Sequence, residues 1–419
     1  MSVAGTVRVP GDKSISHRAL IFGALASGSG RVRGILDSAD VRATAGVLRA
    51  LGADVPALAP EMALTGHGKR SLREPARPLD CMNSGTSARL MAGVLAAHPF
   101  AATLVGDESL SRRPMRRVAQ PLTTMGASFE MGPAGTLPMT VRGGDLESVE
   151  WTSETASAQV KSAVLLAALV AGVEVTYREP VRSRDHTERM LASRGAEVWV
   201  NEQAVMLWPT TSLQPADVDV PGDPSSAAFF VALAAMAEGG ELALPDVCLN
   251  ATRIGFVRAL VRMGARVEVE DERLSGGETV GTLRVRAAEL RGIALAPDEV
   301  PSLIDELPLL ACVAAHADGE TVIRGAEELR VKESDRIATV VANLRAVGAE
   351  VEELPDGMIV RGAGRRLRGA VRAHGDHRIA MAFGVLGARA GNAIEVDDPA
   401  CVDVSYPAFW RDLARVTAA

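Results

Sequence analysis

The sequence predicts an α/β protein of two similar lobes, each built from three related units. Two sets of recurring phrases predict the units: one set ends helices ahead of strands, and the other begins buried helices. A third observation divides the chain, because "VRVPGDKS" from Val7 returns as "VDVPGDPS" from Val218, about half the chain later. A chain of 419 residues is also longer than one ordinary domain core.

The helix-ending phrases share a Gly-Ala pair after a segment of helical spacing and before an alternating, strand-like run. Glycine just beyond a helix predicts its end, because glycine adopts a left-handed conformation at little cost. The phrases recur roughly every 70–85 residues, a longer period than in most solenoids. They are "LRALGADV", "LTTMGASFE", "LASRGAEVWV", "VRMGARVEVE" and "LRAVGAEVEEL".

The helix-beginning phrases open with residues that suit helix N-caps and continue into small apolar residues. A helix that is apolar almost all round is expected to be buried. Six such helices, interleaved with at least five amphipathic ones, predict six similar units. The phrases are "GDKSISHRALIFGALA", "MNSGTSARLMAGVLAA", "ETASAQVKSAVLLAAL", "GDPSSAAFFVALAAMA", "PSLIDELPLLACVAA" and "GDHRIAMAFGVLGARA".

The repeated "VPGD" segments predict where the lobes begin and end. We expect an N-terminal lobe at residues 12–221 and a second lobe made of residues 1–11 and 222–419. The strand before Asp12 is expected to join the second lobe, because it matches the strand before Gly222. Two chain crossings would then form a hinge, with a cleft between the lobes where ligands commonly bind.

Composition excludes several classes of function. Hydrophobic residues make up 47% of the chain and charged residues 23%, as in folded globular proteins. Aromatic residues are only 3% and the net charge is -7 without a basic block, so we expect no nucleic-acid partner. Four widely spaced cysteines disfavour zinc ribbons and redox pairs. No signal peptide or bilayer-spanning run is visible, so we expect a cytoplasmic protein without a membrane partner.

Cations cluster at the beginnings of the predicted buried helices. Free N–H groups and the helix dipole already favour anions there. The fourth phrase has no cation, so we interpret it as a structural remnant of the duplication. The polar and basic residues at the other beginnings are Lys13, Ser14, Arg18, Asn83, Gly85, Thr86, Arg89, Ser157, Gln159, Lys161, Asp376, His377 and Arg378.

Simpler interpretations remain for each of these residues. Ser14, Thr86 and Ser157 could be caps alone, and Lys13 and Arg18 could form a solvated helix face. Their recurrence at matching repeat positions favours an anion site over these alternatives.

Two further patterns have competing readings. Lys332 and Arg336 are four residues apart and are expected on one helix face, either in a salt-bridged turn or around an anion. "HGDHR" from His374 could be a metal-binding pair, but no further ligands accompany it and zinc needs three or four, so we expect no metal.

Eight motifs, in this order, resemble those of the 5-enolpyruvylshikimate-3-phosphate synthase family between Val7 and Leu413. They are "PGDKSISHRAL", "NSGTSARL", "RRPM", "SAQVKSA", "SRDHTERML", "PSLIDELP", "LRVKESDRI" and "GDHRIAMAF". The resemblance implies two lobes, each of three βαβαββ units with buried parallel helices, an inside-out α/β barrel. It implies helix N-termini that face the cleft, and no cofactor.

The resemblance also implies a reaction between two small anions. The 5-hydroxyl of shikimate 3-phosphate attacks C2 of phosphoenolpyruvate, a proton adds at C3, and phosphate leaves a tetrahedral adduct. This is a step toward chorismate and the aromatic amino acids, and the herbicide glyphosate targets the family.

Site residues follow from the matching motif positions. Asp305 would accept the hydroxyl proton, Glu333 would handle the proton at C3, and Lys13 would contact both substrates. Residues implied for shikimate 3-phosphate are Lys13, Ser14, Arg18, Ser157, Ala158, Gln159, Arg184, Asp305 and Lys332. Residues implied for phosphoenolpyruvate are Lys13, Gly85, Arg113, Gln159, Arg336 and Arg378, with Asn83 and His377 in support.

The sequence departs from the commonest family pattern at a few positions. Ala158 stands where many enteric members have a second serine, and Glu328 where asparagine is frequent. Val404 replaces a frequent lysine, which leaves open which cation assists phosphate departure. Gly85 is kept where glyphosate-tolerant members commonly have alanine, so the resemblance does not fix glyphosate sensitivity.

Two alternative functions stay open from the sequence. The sister enzyme that uses UDP-N-acetylglucosamine typically has a loop cysteine, which "DESLSRRPMRR" lacks. A non-catalytic phosphometabolite-binding protein would have no use for Asp305 and Glu333 among the cations. A P-loop kinase is disfavoured because no GxxxxGK[ST] run occurs. We expect a monomer that binds small-molecule substrates.

Overall fold

Helices alternate with short strands along the whole chain, and the computed structural model describes residues 1–418. The helices are α1 (Lys13–Leu25), α2 (Ala39–Ala50), α3 (Gly85–Ala96), α4 (Arg116–Thr124), α5 (Ala158–Ala171), α6 (His186–Ala192), α7 (Pro224–Ala235), α8 (Gly255–Arg262), α9 (Leu307–His316), α10 (Arg336–Ala346), α11 (His377–Ala388) and α12 (Phe409–Thr417).

The strands are mostly short and lie between the helices. They are β1 (Ser2–Thr6), β2 (Ser27–Arg33), β3 (Glu61–His67), β4 (Leu79–Asp80), β5 (Ala101–Val105), β6 (Ser128–Met131), β7 (Met139–Arg142), β8 (Val149–Thr152), β9 (Val175–Arg178), β10 (Val198–Val200), β11 (Ala204–Leu207), β12 (Val218–Asp219), β13 (Gly239–Cys248), β14 (Arg266–Ser275), β15 (Glu278–Arg286), β16 (Asp318–Ile323), β17 (Glu350–Leu354), β18 (Gly357–Ala363), β19 (Arg368–Val371) and β20 (Ala393–Val396).

The described chain divides into two compact units. Unit 1 contains Met1–Pro10, Pro221–Leu274 and Thr279–Ala419, and unit 2 contains Gly11–Val220 with Ser275–Glu278. The first ten residues therefore belong to the unit that also holds most of the second half of the chain.

Unit 2 contains three sheets and three buried helices. The sheets run in the orders β12-β2-β3, β4-β5-β7-β6 and β10-β11-β9-β8. The helices α1, α3 and α5 are apolar along most of their length and supply much of its core. Helix α3 packs closely on α5. This contact requires glycine at position 93, because a side chain there would lie only 2.1 Å from the Ala163 carbonyl oxygen.

Unit 1 repeats this arrangement with its own core. Its sheets run in the orders β1-β13-β15-β14, β16-β18-β17 and β19-β20. Strand β1 pairs in parallel with β13, from Ser2 opposite Gly239 to Thr6 opposite Ala243. The buried helices α7, α9 and α11 form the centre of one continuous apolar cluster. The mixed helix-and-strand architecture confirms the predicted α/β fold class.

The Gly-Ala phrases end helices as predicted. The glycines that follow α2, α4, α6, α8 and α10 all have φ between +80° and +118°, in the region that favours glycine. They are Gly52, Gly126, Gly195, Gly264 and Gly348. The strand expected directly after Gly52 is wrong, because only Asp54 forms an isolated bridge there and Pro56 and Pro60 follow.

The predicted buried helices all form, and the N-cap prediction holds for five of them. The capping side chains are Asp12, Ser84, Ser157, Asp223 and Asp376, each of which accepts a backbone N–H of its helix. The prediction is wrong for α9, which follows two 3-10 turns at 300–306 and has no side-chain cap bond.

Candidate active site

Side chains join the N-terminal parts of several helices in unit 2, and Arg18 is the central connection. Its Nε donates to Thr187 Oγ1 at 2.7 Å. Its terminal nitrogens donate to the Ser14 carbonyl oxygen at 2.9 Å and to Ser162 Oγ at 2.7 Å. Arg18 is only 3% exposed, so the solvated-face alternative for this residue is wrong. The guanidinium links α1, α5 and α6.

Lys13 lies at the first position of α1, next to the Asp12 cap. Its Nζ lies 2.9 Å from Asp40 Oδ2, and both side chains are largely buried. Asp40 is in the first turn of α2, so this ion pair joins two helix beginnings. Ser14 follows Lys13 and is only partly buried. Sequence reasoning did not identify Asp40, although an acidic residue in a first helical turn was the available signal.

Gln159 bridges α5 and α3. Its Oε1 accepts from Arg89 at 2.8 Å, and its Nε2 donates to Thr86 Oγ1 at 3.0 Å. Arg89 also donates to the Pro114 carbonyl oxygen at 3.1 Å. These bonds bring the sequence-predicted residues at the beginnings of α3 and α5 together. Ser157 caps α5, and Ala158 is its first residue.

Gly85, Asn83 and Arg113 lie together at the beginning of α3. Arg113 donates to Asn83 Oδ1 at 2.6 Å, and Asn83 Nδ2 donates to Asp107 Oδ2 at 2.6 Å. A side chain at Gly85 would lie 2.7 Å from an Arg89 nitrogen and 3.4 Å from an Arg113 nitrogen. The glycine thus leaves room for two guanidinium groups to approach the backbone.

At the beginning of α5, the third buried helix, one of the predicted cations is not available to a ligand. Lys161 is fully buried, with its Nζ 2.7 Å from Glu179 and 2.8 Å from Glu188. Burial alone lowers the pKa of Lys161, but attraction to the two carboxylates outweighs burial and raises the pKa above its usual value. Lys161 is therefore part of an internal ion cluster, which corrects its assignment to the anion site.

The ion cluster anchors the segment that contains Arg184. Glu179 Oε1 also accepts the Ser183 backbone N–H at 2.8 Å. Arg184 lies two residues before α6 and is partly buried. Its neighbour Asp185 is held by Arg182 and Arg189 at 2.8 and 2.9 Å. These bonds define the backbone on both sides of Arg184.

Unit 1 holds a second polar cluster, centred on Asp305. Three cations lie within 4 Å of its carboxylate: Lys332 at 3.9 Å, Arg336 at 3.4 Å and Arg378 at 3.8 Å. Arg378 also lies 3.3 Å from Glu306. The loops before α9 and α10 and the beginning of α11 supply these residues, so helix beginnings meet in this unit too.

Arg336 is the most buried member of the second cluster, at 1% exposure. Its Nε donates to Asp376 at 2.8 Å and a terminal nitrogen donates to Glu333 at 2.8 Å. Burial opposes the guanidinium charge, but Asp376 and Glu333 outweigh burial and raise the pKa of Arg336. Burial likewise opposes ionisation of Asp376, but Arg336 reverses the effect and the pKa of Asp376 is lowered.

Asp376 organises the beginning of α11 as well as Arg336. It accepts the Arg378 backbone N–H at 3.0 Å and the Ser334 hydroxyl at 3.0 Å. His377, the first residue of α11, is buried. Asp376 was visible in the sequence as a cap, but its bond to Arg336 joins residues far apart in the chain.

Lys332 does not lie on the helix face predicted for it. Helix α10 begins at Arg336 after the Asp335 cap, and Lys332 precedes it in a bend. Both side chains nevertheless approach Asp305. A carboxylate of the protein therefore lies between the two cations and offsets their mutual repulsion.

A cation lies at the beginning of α7, the fourth buried helix, although the phrase "GDPSSAAFFVALAAMA" that predicted this helix contains none. Arg253, from the segment before α8, lies 3.0 Å from both Asp223 and Ser225 at the beginning of α7. Arg253 is 4% exposed. The phrase itself contains no cation, as the sequence indicated, but the fold supplies a guanidinium to it from 30 residues later in the chain.

Each unit thus gathers cations at helix beginnings, with hydroxyls among them in unit 2 and with the carboxylates of Asp305, Glu306, Glu333 and Asp376 among them in unit 1. Such a cluster can bind phosphate and carboxylate groups, and Asp305 and Glu333 can accept or donate protons. Among residues 1–418, no group of three or more side chains is arranged to bind a metal. Within the same residues, no helix is long and apolar enough to cross a membrane.

A family model described as EPSP synthase (3-phosphoshikimate 1-carboxyvinyltransferase) matches residues 1–413. A protein of Sulfurihydrogenibium sp. (strain YO3AOP1), named 3-phosphoshikimate 1-carboxyvinyltransferase, is 47% identical over 99% of this chain and 97% of its own length. A protein of the same name from Alkalilimnicola ehrlichii is 50% identical over 97% of this chain and 92% of its own.

Solved structures show the same likeness. An EPSP synthase from Acinetobacter baumannii superposes with a TM-score of 0.87 at 41% identity. The superposition covers 99% of this chain and 95% of the solved one.

Proposed function

The chain belongs to the EPSP synthase family, and on that premise we propose that it transfers the enolpyruvyl group of phosphoenolpyruvate to the 5-hydroxyl of shikimate 3-phosphate. The names of its relatives support this reaction, as does the chemistry of the two clusters. Both substrates carry phosphate and carboxylate groups, so their approach requires cations that offset the mutual repulsion.

The proposed reaction has two stages. The hydroxyl oxygen of shikimate 3-phosphate bonds to C2 of phosphoenolpyruvate as the hydroxyl proton passes to Asp305 and a proton from Glu333 adds at C3. The tetrahedral adduct then breaks the C2–O bond to phosphate, which leaves with the proton held by Asp305, while Glu333 takes back a proton from C3 and the double bond is regenerated. Atoms balance without a cofactor, and each carboxyl group ends a turnover ready for the next.

One observation carries the proposal. Arg336 contacts both carboxylates, Asp305 at 3.4 Å and Glu333 at 2.8 Å. A single buried guanidinium therefore fixes the two groups that the reaction needs for proton transfer. In a protein that only bound anions, these carboxylates would lower the affinity, because they repel the ligand.

The remaining residue roles follow from charge and geometry. Arginine suits carboxylate and phosphate because its planar guanidinium donates two parallel hydrogen bonds. Holding both substrates in one geometry removes much of the entropic barrier. We assign Lys13, Ser14, Arg18, Ser157, Ala158, Gln159, Arg184, Asp305 and Lys332 to shikimate 3-phosphate. We assign Lys13, Gly85, Arg113, Gln159, Arg336 and Arg378 to phosphoenolpyruvate, supported by Asn83 and His377.

The test measures phosphate release from phosphoenolpyruvate with shikimate 3-phosphate or UDP-N-acetylglucosamine as the acceptor. We expect release only with shikimate 3-phosphate. Release only with the nucleotide sugar would reassign the acceptor, and no release with either would refute the enzyme proposal.

The proton-transfer roles are tested with Asp305→Asn and Glu333→Gln. Each change keeps the shape of the side chain, and each is expected to lower kcat by about 10²-fold or more. Asp298→Asn is the matched control, because Asp298 is exposed in the same unit and its loss should leave kcat unchanged. Near-normal kcat in Asp305→Asn would contradict its role as the base.

We also propose that the enzyme works as a monomer in the cytoplasm. No disulfide joins its cysteines within residues 1–418, and three of them, Cys81, Cys248 and Cys312, are buried, which suits a reducing compartment. Size-exclusion chromatography with light scattering at working concentration tests the monomeric state.

A further inference from the structure

Unit 2 contains a buried arginine for which the fold supplies no counter-charge. Arg194 follows α6 and is 2% exposed. Its terminal nitrogen donates to the Met190 carbonyl oxygen at 3.2 Å, and its guanidinium lies 5.5 Å from the centre of the Phe22 ring. Its Nε–H has no acceptor, and within residues 1–418 no carboxylate forms an ion pair with its guanidinium.

The environment of Arg194 differs from that of the other buried cations. Arg18, Lys161 and Arg336 each bind hydroxyls or carboxylates. A buried guanidinium cannot lose its proton under ordinary conditions, so its charge has to be balanced in another way. Burial alone lowers the pKa of Arg194 to about 10, with no charged group opposing the effect. The Phe22 ring and one carbonyl offset only part of the charge.

A small recess adjoins this guanidinium. It is lined by residues of α1, β2 and β3 and by the segment at 215–216, and Arg194 is the charged member of its lining. The enclosed part of the recess has room for about one water molecule, so it suits a compact ligand better than a phosphate or carboxylate group. The other lining side chains are apolar or absent, among them those of Ala19, Gly23, Leu64 and Pro215.

We propose that Arg194 and this recess form a binding site for a single halide ion, chloride in the cell. Among anions, a monatomic ion comes closest to the size of the recess; it also gives the guanidinium an acceptor and balances the buried charge. A water molecule would satisfy the first two conditions but leave the charge unbalanced. The site is separate from the residues assigned to the substrates, because Arg194 contacts none of them.

The location suggests what the ion does. The recess lies against Ala19 and Gly23, in the middle of α1, and Arg194 closes the end of α6. Helices α1 and α6 also carry Arg18 and Thr187, whose bond connects the first polar cluster. A bound halide therefore stabilises the two helices that hold this cluster, without touching a substrate.

Bromide provides the probe, because its anomalous scattering distinguishes it from water in a crystal. We expect an anomalous peak beside Arg194 Nε in the full chain soaked with sodium bromide. A peak elsewhere only, with an ordinary water beside Nε, would overturn the proposal. This measurement on the unaltered protein decides the question even if the variant below does not fold.

A second test uses the melting temperature at fixed ionic strength, with bromide replacing gluconate. We expect the Tm to rise by about 2–4 °C for each tenfold increase in bromide above its dissociation constant. Arg194→Met should abolish this rise. Arg258→Met, which removes an exposed arginine of unit 1, is the matched control and should retain it. An undiminished rise in Arg194→Met would also refute the site.

Discussion

At the scale of single residues, two of the arginines assigned to the substrates also hold the protein together. Arg18 and Arg336 are both more than nine-tenths buried, and the nitrogens of each bond groups from three different segments. Each gathers neighbouring helix beginnings before any substrate arrives. Their replacement should therefore affect folding as well as binding, which makes them poor choices for separating the two.

Gly85 offers a cleaner test of the phosphoenolpyruvate site. A methyl group at this position would lie 2.7 Å from an Arg89 nitrogen and 3.4 Å from an Arg113 nitrogen, so both guanidinium groups must shift. We expect Gly85→Ala to raise the KM for phosphoenolpyruvate about tenfold while the KM for shikimate 3-phosphate changes little.

Gly46→Ala is the matched control for Gly85→Ala. Gly46 lies within α2, and a side chain there would meet nothing within 4 Å. It should leave both KM values unchanged and stabilise the helix by up to about 1 kcal/mol. Equal KM effects in the two variants would contradict the crowding argument.

Lys161 tests the internal ion cluster. Lys161→Met leaves Glu179 and Glu188 buried without a cation, which should cost about 3–5 kcal/mol in the free energy of unfolding. Unpaired buried carboxylates have raised pKa values in the folded state, so their protonated forms are tolerated. The loss should therefore be smallest below about pH 4 and grow as the pH rises.

Urea unfolding at pH 4 and pH 7, followed by tryptophan fluorescence, measures this loss. Lys69→Met removes the same charge from a partly exposed position in unit 2 and serves as the control. A loss in Lys161→Met that does not depend on pH would contradict the assignment of the effect to the two carboxylates.

At the scale of secondary structure, a buried chain of hydrogen bonds aligns the first three helices. His17 Nδ1 lies 2.7 Å from Thr44 Oγ1, which lies 2.6 Å from Ser87 Oγ, which lies 2.8 Å from Ser84 Oγ. The chain therefore runs from α1 through α2 to the cap of α3. It fixes the helix beginnings beside Lys13 and Gly85.

His17 predicts a pH dependence of stability. Burial lowers its pKa to about 3, with nearby Asp40 opposing the effect and Lys13 and Arg18 adding to it. The unfolded chain binds this proton below about pH 6.5, but the folded one does not. Stability should therefore fall as the pH drops from about 6.5 toward 3, by on the order of 1.4 kcal/mol per pH unit from this residue.

Urea unfolding between pH 7 and pH 5 checks the contribution of His17. His98 and His316 also have lowered pKa values, so the full chain should show a slope larger than one proton. His17→Gln should reduce the slope by about one proton, whereas His67→Gln, at an exposed position, should not. An unchanged slope in His17→Gln would mean that this histidine is protonated in the folded protein.

Arg330 positions the segment that carries the candidate proton-transfer residue Glu333. It donates to Asp335 at 2.8 Å, to Glu353 at 2.9 Å and to the Leu354 and Pro355 carbonyl oxygens at 2.8 Å each. These bonds attach the cap of α10 to the turn between β17 and β18.

We expect Arg330→Lys to lower kcat about tenfold with little change in Tm, because lysine cannot reproduce this pattern of donors. Steady-state kinetics and thermal melting measure the two effects. Arg361→Lys, at a half-exposed arginine on β18, is the control. A loss of Tm without a loss of kcat would show that Arg330 stabilises the fold and does not position Glu333.

At the scale of the whole molecule, the net charge and the local charge predict opposite effects on the binding of anionic substrates. The chain carries a net charge of -7, which should repel anionic substrates. The two clusters place cations around the candidate substrate positions, which should attract them. We expect the local cations to dominate, because charges beyond about 10 Å are screened at ordinary ionic strength.

Measuring kcat/KM from about 20 to 500 mM potassium gluconate decides between the two predictions, because screening weakens whichever interaction dominates. Attraction by the clusters predicts a several-fold fall, and repulsion by the net charge predicts a rise. Gluconate avoids occupying the proposed halide site. A rise with salt would contradict the dominance of the local cations.

The sequence by itself determined where most helices begin and end. Local chemistry acts over a few residues, so caps such as Ser157 and glycines such as Gly195 could be read directly. The same signals failed where another local rule was stronger. Pro56 and Pro60 interrupt the expected strand after Gly52, and the 3-10 turns before α9 replace a cap.

Only the tertiary structure decided which charged side chains meet. Lys161 was expected among the anion-binding cations but is enclosed by Glu179 and Glu188, whereas Arg253, from a distant segment, bonds the cap of α7. Pairing of charges depends on distances between segments that packing brings together, and sequence spacing carries no record of those distances. For this reason the sequence located the cations, whereas the fold determined their partners.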